Sequence, residues 1–65
     1  MTGTQIKAIR LNLGLTQEEF GKLLNASKGN VSTWEHGKSL PNPKRLKQIA
    51  DFAGITVEAL IGLGD

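Results

Sequence analysis

Apolar residues recur at intervals of three and four along most of this chain, which is the spacing of amphipathic helices. The chain has few β-branched runs and no Asn-Gly or Asp-Gly turn, so strands are not predicted. The pattern indicates an all-α fold class, a compact bundle of five short helices. With 65 residues and no repeat or linker, residues 1–65 are predicted to form a single domain.

The first predicted helix covers roughly residues 4–13, where Ile6 and Leu13 fall on one apolar stripe. Gly14 is the residue expected to end it. Arg10 lies on or beside the same stripe, four residues after Ile6, which is an unusual position for a charge. A buried charge needs a partner, so a carboxylate elsewhere in the chain is expected to face Arg10.

The second predicted helix begins at Thr16, because Glu19 three residues later completes a Thr-x-x-Glu capping box. Its apolar face is expected to consist of Phe20, Leu23 and Leu24. The connection to the next helix is short, since another N-cap residue follows soon after this apolar face.

The third predicted helix begins at Ser27, which is a favourable N-cap residue. Val31 and Trp34 are expected to point inward. Glu35 lies next to Trp34 on the inner side, so it is the predicted ion-pair partner of Arg10. This pair is expected to fix the third helix against the first.

The last two predicted helices follow a loop in which Leu40 is expected to reach the core. Asn42 and Pro43 form an N-cap followed by a proline at the first helical position, so the fourth helix begins there and ends before Gly54. Thr56 caps a short fifth helix. The expected inward residues of the fourth helix are Leu46, Ile49, Ala50 and Ala53, and the fifth helix contains Val57, Leu60 and Ile61.

The second and third helices together form a helix-turn-helix candidate. The outward face of the third helix carries no acidic residue and consists of Lys28, Gly29, Ser32, Thr33 and His36. Small and basic side chains on a short, rigidly mounted helix suit the DNA major groove. The first four of these residues are therefore the predicted base contacts. The alternative is an ordinary solvated face, since outward faces of helices are commonly polar.

Phosphate contacts are predicted at both ends of this motif. Gln17 lies in the first turn of the second helix, and His36 lies near the end of the third. A basic cluster surrounds the following loop and the start of the fourth helix, and it consists of Lys38, Lys44, Arg45 and Lys47. One or two of these four residues are expected to bind phosphate. The alternatives are a neutral helix former at Gln17 and a solubilising surface at the cluster.

Composition limits which kinds of functional site the chain can form. The chain has no cysteine, one histidine and six unclustered carboxylates, so disulfides, metal sites and cofactors are not predicted. No catalytic constellation is evident, and an enzyme is not expected. The net charge of +2 permits a polyanionic partner without requiring one. Without a signal-peptide pattern or a long apolar run, the protein is expected to be soluble and cytoplasmic, with no membrane partner.

Nearly the whole chain, from about residue 4 to 61, resembles the phage-repressor/Cro type of helix-turn-helix domain, also called the XRE-like family. The resemblance rests chiefly on Arg10, on Gly-Leu-Thr-Gln at 14–17 and on Trp-Glu-x-Gly at 34–37. It implies a lambda-repressor-like five-helix fold with residues 27–36 as the recognition helix. It also implies the pairing of Arg10 with Glu35, and a transcriptional regulator, in most cases a repressor.

The same resemblance implies how DNA is contacted. Base contacts are expected from Lys28, Gly29 and Thr33, with Ser32 secondary, and phosphate contacts at Gln17, near Ser27, and from Lys38 to Lys44. The implied partner is double-stranded DNA with a near-palindromic operator, bound by a homodimer on half-sites about one helical turn apart. No small-molecule substrate is implied for this domain.

Two positions depart from the family pattern. Gly29 replaces a longer side chain often used to contact bases, so DNA shape is expected to contribute more than usual. Ala59 replaces a bulky aromatic residue, which leaves Leu60, Ile61 and Leu63 as candidates for a dimer contact. The alternative function is a protein-interaction module, such as an antitoxin or a bridging factor. The sequence also fits either a complete small regulator or the N-terminal domain of a larger one.

Overall fold

The computed structural model describes residues 2–62, which fold into five helices and contain no strand. The predicted all-α architecture is therefore confirmed within this range. In chain order the helices are α1 (Thr2–Asn12), α2 (Gln17–Leu23), α3 (Lys28–Glu35), α4 (Pro43–Ala53) and α5 (Val57–Gly62). None of these helices combines the length and the apolar character needed to cross a membrane.

Side-chain caps begin four of the five helices at the residues that the sequence indicates. Thr16 and Glu19 form the reciprocal capping box of α2, with bonds of 3.1 Å and 2.9 Å. The hydroxyl of Ser27 accepts a bond from a backbone N–H in the first turn of α3 at 3.1 Å. Asn42 and Thr56 cap α4 and α5 in the same way, at 2.9 Å and 3.0 Å. Each cap satisfies an N–H group that has no partner within its own helix.

The turn between α2 and α3 depends on close packing of backbone against backbone. Asn25 adopts a left-handed conformation with φ 57°, which reverses the chain, and the Ala26 N–H donates to the Gly21 carbonyl at 2.8 Å. A Cβ atom on Gly21 would lie 2.7 Å from the Ala26 carbonyl oxygen, closer than such atoms approach. Gly21 therefore sets how closely the turn, and with it the start of α3, approaches α2.

The core lies where all five helices meet. Val31 and Trp34 on α3 are buried as predicted, α3 packs directly against both α1 and α2, and α5 closes the opposite side. A Cβ atom on Gly3 would lie 2.5 Å from the Trp34 carbonyl oxygen, so α1 also meets the end of α3 backbone to backbone. The buried apolar residues are Ile6, Phe20, Leu24, Val31, Trp34, Leu46, Ile49, Ala50 and Leu60.

Three leucines predicted to be inward are exposed instead. Leu13 is 40% exposed because α1 ends at Asn12, so the helical period no longer fixes the direction of its side chain. Leu23 is 49% exposed, because its neighbour Leu24 points about 100° away around the helix and takes the core position. Leu40 is 58% exposed, and the buried residue of that loop is Pro41.

Candidate functional site

The inner face of α3 is joined to α1 by a buried ion pair. Arg10 Nε donates to Glu35 Oε2 at 2.6 Å and Arg10 Nη2 donates to Glu35 Oε1 at 3.1 Å, a two-point contact between guanidinium and carboxylate. Only 10% and 3% of these two side chains are exposed. The structure thus brings together the two residues that the sequence pairs.

Two further hydrogen bonds extend the ion pair to the beginning of α2. Arg10 Nη1 donates to the Leu15 carbonyl oxygen at 2.9 Å, and Gln17 Nε2 donates to Glu35 Oε1 at 3.1 Å. Among residues 2–62 no buried side-chain nitrogen or oxygen lacks a hydrogen-bond partner. Because α1, α2 and α3 share this network, the orientation of α3 relative to α2 is fixed by specific polar contacts as well as by packing.

The network changes the ionisation of both charged groups. Burial alone raises the pKa of Glu35, but the hydrogen bonds from Arg10 and Gln17 and the positive charges of Arg10 and Lys7 outweigh it, so the pKa lies below its ordinary value. The hydrogen bond from Arg10 to Glu35 raises the pKa of Arg10 above its ordinary value, against the opposing effect of burial. Both groups are therefore charged at neutral pH.

Arg45 has a structural position that sequence reasoning missed. Its guanidinium donates to the carbonyl oxygens of Leu24 and Asn25 at 3.3 Å and 2.9 Å, and its Cζ lies 5.8 Å from the centre of the Trp34 ring. Arg45 therefore connects the start of α4 to the α2–α3 turn. No local signal distinguishes it from neighbouring lysines, because its acceptors are backbone atoms about 20 residues away.

The outer face of α3 differs from the inner face in having few partners. Lys28 and Gly29 are exposed, and Lys28 belongs to none of the salt bridges formed within residues 2–62. Thr33 is half-buried, and its hydroxyl donates to the Gly29 carbonyl at 2.8 Å, which leaves that hydroxyl able to accept a hydrogen bond from outside. Ser32 is also half-buried. Lys28 is thus the longest unengaged donor on this face.

His36 is the C-cap of α3 and is exposed. Its Nδ1 lies 2.7 Å from the Ser32 carbonyl oxygen. Because a carbonyl oxygen only accepts hydrogen bonds, Nδ1 carries the hydrogen and the Nε2 of the neutral ring is an acceptor. His36 can therefore donate through Nε2 to a phosphate only in its protonated form.

Gly29 is not required by the packing of this protein. A Cβ atom built there would meet only the Ser27 hydroxyl, at an ordinary contact distance of 3.7 Å. This contrasts with Gly3 and Gly21, where a Cβ atom would collide with backbone. The structure therefore leaves open space above Gly29, through which another molecule can approach the backbone of α3.

The predicted phosphate contacts lie in two groups at opposite ends of α3. Gln17 and His36 line one concave surface, where α2 begins and α3 ends. Lys44 lines a second one, formed by the start of α4 and the α2–α3 turn. Ser27, beside that turn, and Lys38 are exposed, and neither Lys38 nor Lys44 takes part in a salt bridge within the described part of the chain. Lys47, by contrast, pairs with Asp51 at 2.8 Å.

The residues predicted as candidates for a dimer contact differ in their exposure. Leu60 is fully buried in the core, so the prediction that it reaches a partner is wrong. The reason is that the short α5 has one inward position per turn, and Leu60 occupies it. Ile61 is exposed, and Leu63 lies outside the described residues. Within residues 2–62 no group of three histidine, aspartate or glutamate side chains is placed to hold a metal ion.

Comparisons with known proteins agree with this architecture. A family model described as helix-turn-helix matches residues 6–60. The HTH-type transcriptional activator BcrR of Enterococcus faecalis is 35% identical over 57 residues, which are 88% of this chain and 28% of BcrR. The chain therefore spans only 28% of the length of this curated relative.

A solved structure extends the match to the whole fold. The P22 c2 repressor, crystallised in complex with a synthetic operator, superposes with a TM-score of 0.87 at 28% identity, covering 100% of this chain and 97% of that one. The five-helix architecture is thus that of a lambda-repressor-like domain. By its family match and its fold, this chain belongs to the XRE-like helix-turn-helix family of phage-repressor and Cro type.

Proposed function

We propose that this domain binds double-stranded DNA sequence-specifically and serves as the DNA-binding part of a transcriptional regulator, with α3 in the major groove. The observation that carries the proposal is the asymmetry of α3. Its inner face is fixed by the Arg10–Glu35–Gln17 network, whereas its outer face carries no acidic residue and has free space above Gly29. A rigid helix with a small, basic outer face fits a groove lined by hydrogen-bonding base edges.

The residues divide by chemistry into two kinds of contact. Lys28 is proposed to donate to guanine O6 and N7, and Thr33 to accept from a base amino group or to place its methyl against thymine. Gly29 is proposed to let the α3 backbone approach the DNA, with Ser32 as a secondary base contact. The proposed phosphate contacts, which position α3 without selecting a sequence, are Gln17, Ser27, His36, Lys38 and Lys44.

A homodimer on a near-palindromic operator is part of the proposal. One domain presents a single eight-residue helix, which covers only a few base pairs, so a second copy on a neighbouring half-site is needed for a site of useful length. Ile61 remains as an exposed apolar residue on α5 for such a contact.

Of the two similar proteins one is named an activator and the other a repressor. Repression by this protein therefore stays a prediction, which a reporter assay with the site inside a promoter tests.

Selection of bound sequences from a random DNA pool tests the proposal. We expect enrichment of a short two-fold-symmetric motif, bound by two copies of the chain. Binding to that motif should weaken steeply as salt is raised, because each neutralised phosphate contributes about −0.9 to the slope of log K against log salt. Failure to enrich any motif would contradict the proposal. Salt-insensitive association with a protein instead of DNA would support the alternative of an interaction module.

A further inference from the structure

An open concavity of about 330 Å³ lies beside the C-terminal end of α3. It is lined by Thr4, Lys7, Arg10, Gln17, Glu35 and His36. We infer that this concavity binds a DNA phosphate and that Lys7 on α1 supplies its positive charge. The inference rests on the proposed DNA binding. It gives α1 a direct contact with DNA, whereas the sequence predicts for α1 only a role in packing.

The geometry places Lys7 on the same surface as the contacts predicted from sequence. Thr4, Lys7 and Arg10 are three residues apart and so share one face of α1. Arg10 faces inward to Glu35, and Lys7, one turn earlier, is exposed at the rim of the same concavity. Gln17 and His36 line the same concavity from α2 and from the end of α3. A phosphate entering here would meet α1, the start of α2 and the end of α3 together.

The charges of the lining leave Lys7 as the free cation. Arg10 is engaged by Glu35 in a two-point contact, so this pair contributes little net charge to the concavity. Lys7 forms no salt bridge within residues 2–62. Its ammonium lies near enough to lower the pKa of Glu35 through its charge, the last and smallest of the influences on that carboxylate. The concavity therefore has a net positive charge that comes from one flexible side chain.

The other polar groups of the lining do not replace this charge. Gln17 commits one amide hydrogen to Glu35 and keeps a second one for an external acceptor. His36 uses its Nδ1 hydrogen for the Ser32 carbonyl oxygen, so that hydrogen is not available to a phosphate. A phosphate oxygen would then receive one neutral hydrogen bond from Gln17 and a charge-assisted one from Lys7, which is the stronger kind.

The position relative to α3 favours a backbone phosphate of duplex DNA over a free anion. The concavity that contains Lys44 lies at the other end of α3, which has eight residues and is about 12 Å long. The major groove is bordered by two sugar-phosphate strands. Concave surfaces with free cations near both ends of α3 suit phosphates that border the groove in which α3 is proposed to lie, whereas a free anion would need only one of these surfaces.

The test compares Lys7→Gln with Lys7→Arg and with Lys22→Gln, a matched loss of charge at an exposed lysine of α2 whose partner is Glu18. The DNA is the duplex selected in the experiment above, and affinity is measured across a range of salt concentrations. For Lys7→Gln we expect the salt slope to lose about 0.9 per protein copy bound. We also expect affinity at ~0.1 M salt to fall on the order of tenfold per copy, with unchanged base preference. Lys7→Arg should retain the wild-type slope, and Lys22→Gln should retain both slope and affinity.

Ethylation of individual phosphates provides a second readout, which a merely structural role would not change. Ethylation of one phosphate in each half-site should block binding by the wild-type chain. Ethylation of the same phosphate should not change binding by Lys7→Gln. An unchanged slope in Lys7→Gln, an equal loss in Lys22→Gln, or a shift in base preference would each overturn the assignment of Lys7. If the wild-type chain binds no selected duplex, the proposed function itself fails and the inference fails with it. Equal denaturation midpoints for the variants would show that folding is not the cause.

Discussion

The two faces of α3 are built in opposite ways. On the inner face Val31 and Trp34 are buried, and Glu35 has two hydrogen-bonding partners, Arg10 and Gln17. On the outer face the bonds of Thr33 and His36 stay within the helix, and Lys28 has no salt-bridge partner in the described part of the chain. The position of α3 is thus determined by many contacts within the protein. Its proposed selection of a DNA sequence depends on few side chains.

This difference predicts where substitutions act. Changes on the inner face should reduce stability and move α3, and thereby weaken DNA binding at every sequence. Changes on the outer face should not reduce stability and should alter affinity or base preference.

Replacement of Arg10 by Met should have the largest effect. It leaves the buried Glu35 carboxylate without its cation, which typically costs about 3–5 kcal/mol. A domain of this size has a total stability on the order of 3–5 kcal/mol, so the variant should be largely unfolded at room temperature. Urea unfolding of Arg10→Met, Glu35→Met and the double variant, measured in a stabilising osmolyte, gives the coupling energy. We expect it to exceed 0.5 kcal/mol clearly, roughly the limit for independent sites; additive losses would contradict a structural role for the pair.

Replacement of Gly21 by Ala should have the next largest effect. The new Cβ atom would lie 2.7 Å from the Ala26 carbonyl oxygen, so the α2–α3 turn must shift. We expect a loss of about 1–3 kcal/mol in the free energy of unfolding, the usual cost of overpacking. Denaturant unfolding measures it. A stability equal to that of the wild type would show that α2 and the turn can separate without cost, and that the mounting of α3 is less rigid than the contacts indicate.

Replacement of Lys28 by Gln tests the outer face directly. We expect the free energy of unfolding to change by less than about 0.5 kcal/mol, because the side chain is exposed and has no salt-bridge partner. DNA binding should weaken by about 1–3 kcal/mol, with relaxed preference at one base pair if Lys28 contacts a guanine. Selection from the random pool with this variant measures both. Unchanged affinity and unchanged preference would remove Lys28 from the contact surface.

Replacement of Gly29 by Ala should separate stability from binding. Because the Cβ atom has room and alanine is the better helix former, the free energy of unfolding should rise by up to about 1 kcal/mol. Affinity for the selected duplex should fall if the α3 backbone approaches the DNA at this position. The control is Gly21→Ala, which has the same chemical change and the opposite expected sign in stability. Increased stability with unchanged binding would show that Gly29 makes no close approach.

The smallest effect near neutral pH concerns Glu35. Its pKa is lowered in the folded protein, so between the two pKa values the unfolded chain binds more protons and stability rises with pH. The contribution is fully present above the ordinary glutamate pKa of about 4.3 and is lost as the pH falls through the lower folded value. Unfolding should therefore change little from about pH 7 to 5 and become easier below that range. In Glu35→Gln the free energy of unfolding should fall less steeply as the pH is lowered. If it falls as steeply as in the wild type, Glu35 is not the source of the pH dependence.

The sequence alone determined the features that depend on near neighbours in the chain. The capping residues Thr16, Ser27, Asn42 and Thr56 act within one helical turn, and they begin their helices as expected. Periodicity is also a local property, and it placed Val31 and Trp34 in the core. The pairing of Arg10 with Glu35 followed from the same periodicity, because two charges on apolar stripes had few other possible partners.

Periodicity could not predict the features that depend on segments distant in sequence. Leu23 and Leu24 are equally apolar, and the position of α3 leaves only Leu24 in the core. Arg45 resembles its basic neighbours until the α2–α3 turn presents two carbonyl oxygens to it. Lys7 is an ordinary surface lysine on α1 until Gln17 and His36 are brought to the same concavity. Helix formation is governed by short-range hydrogen bonds, whereas a binding surface is assembled from several helices at once.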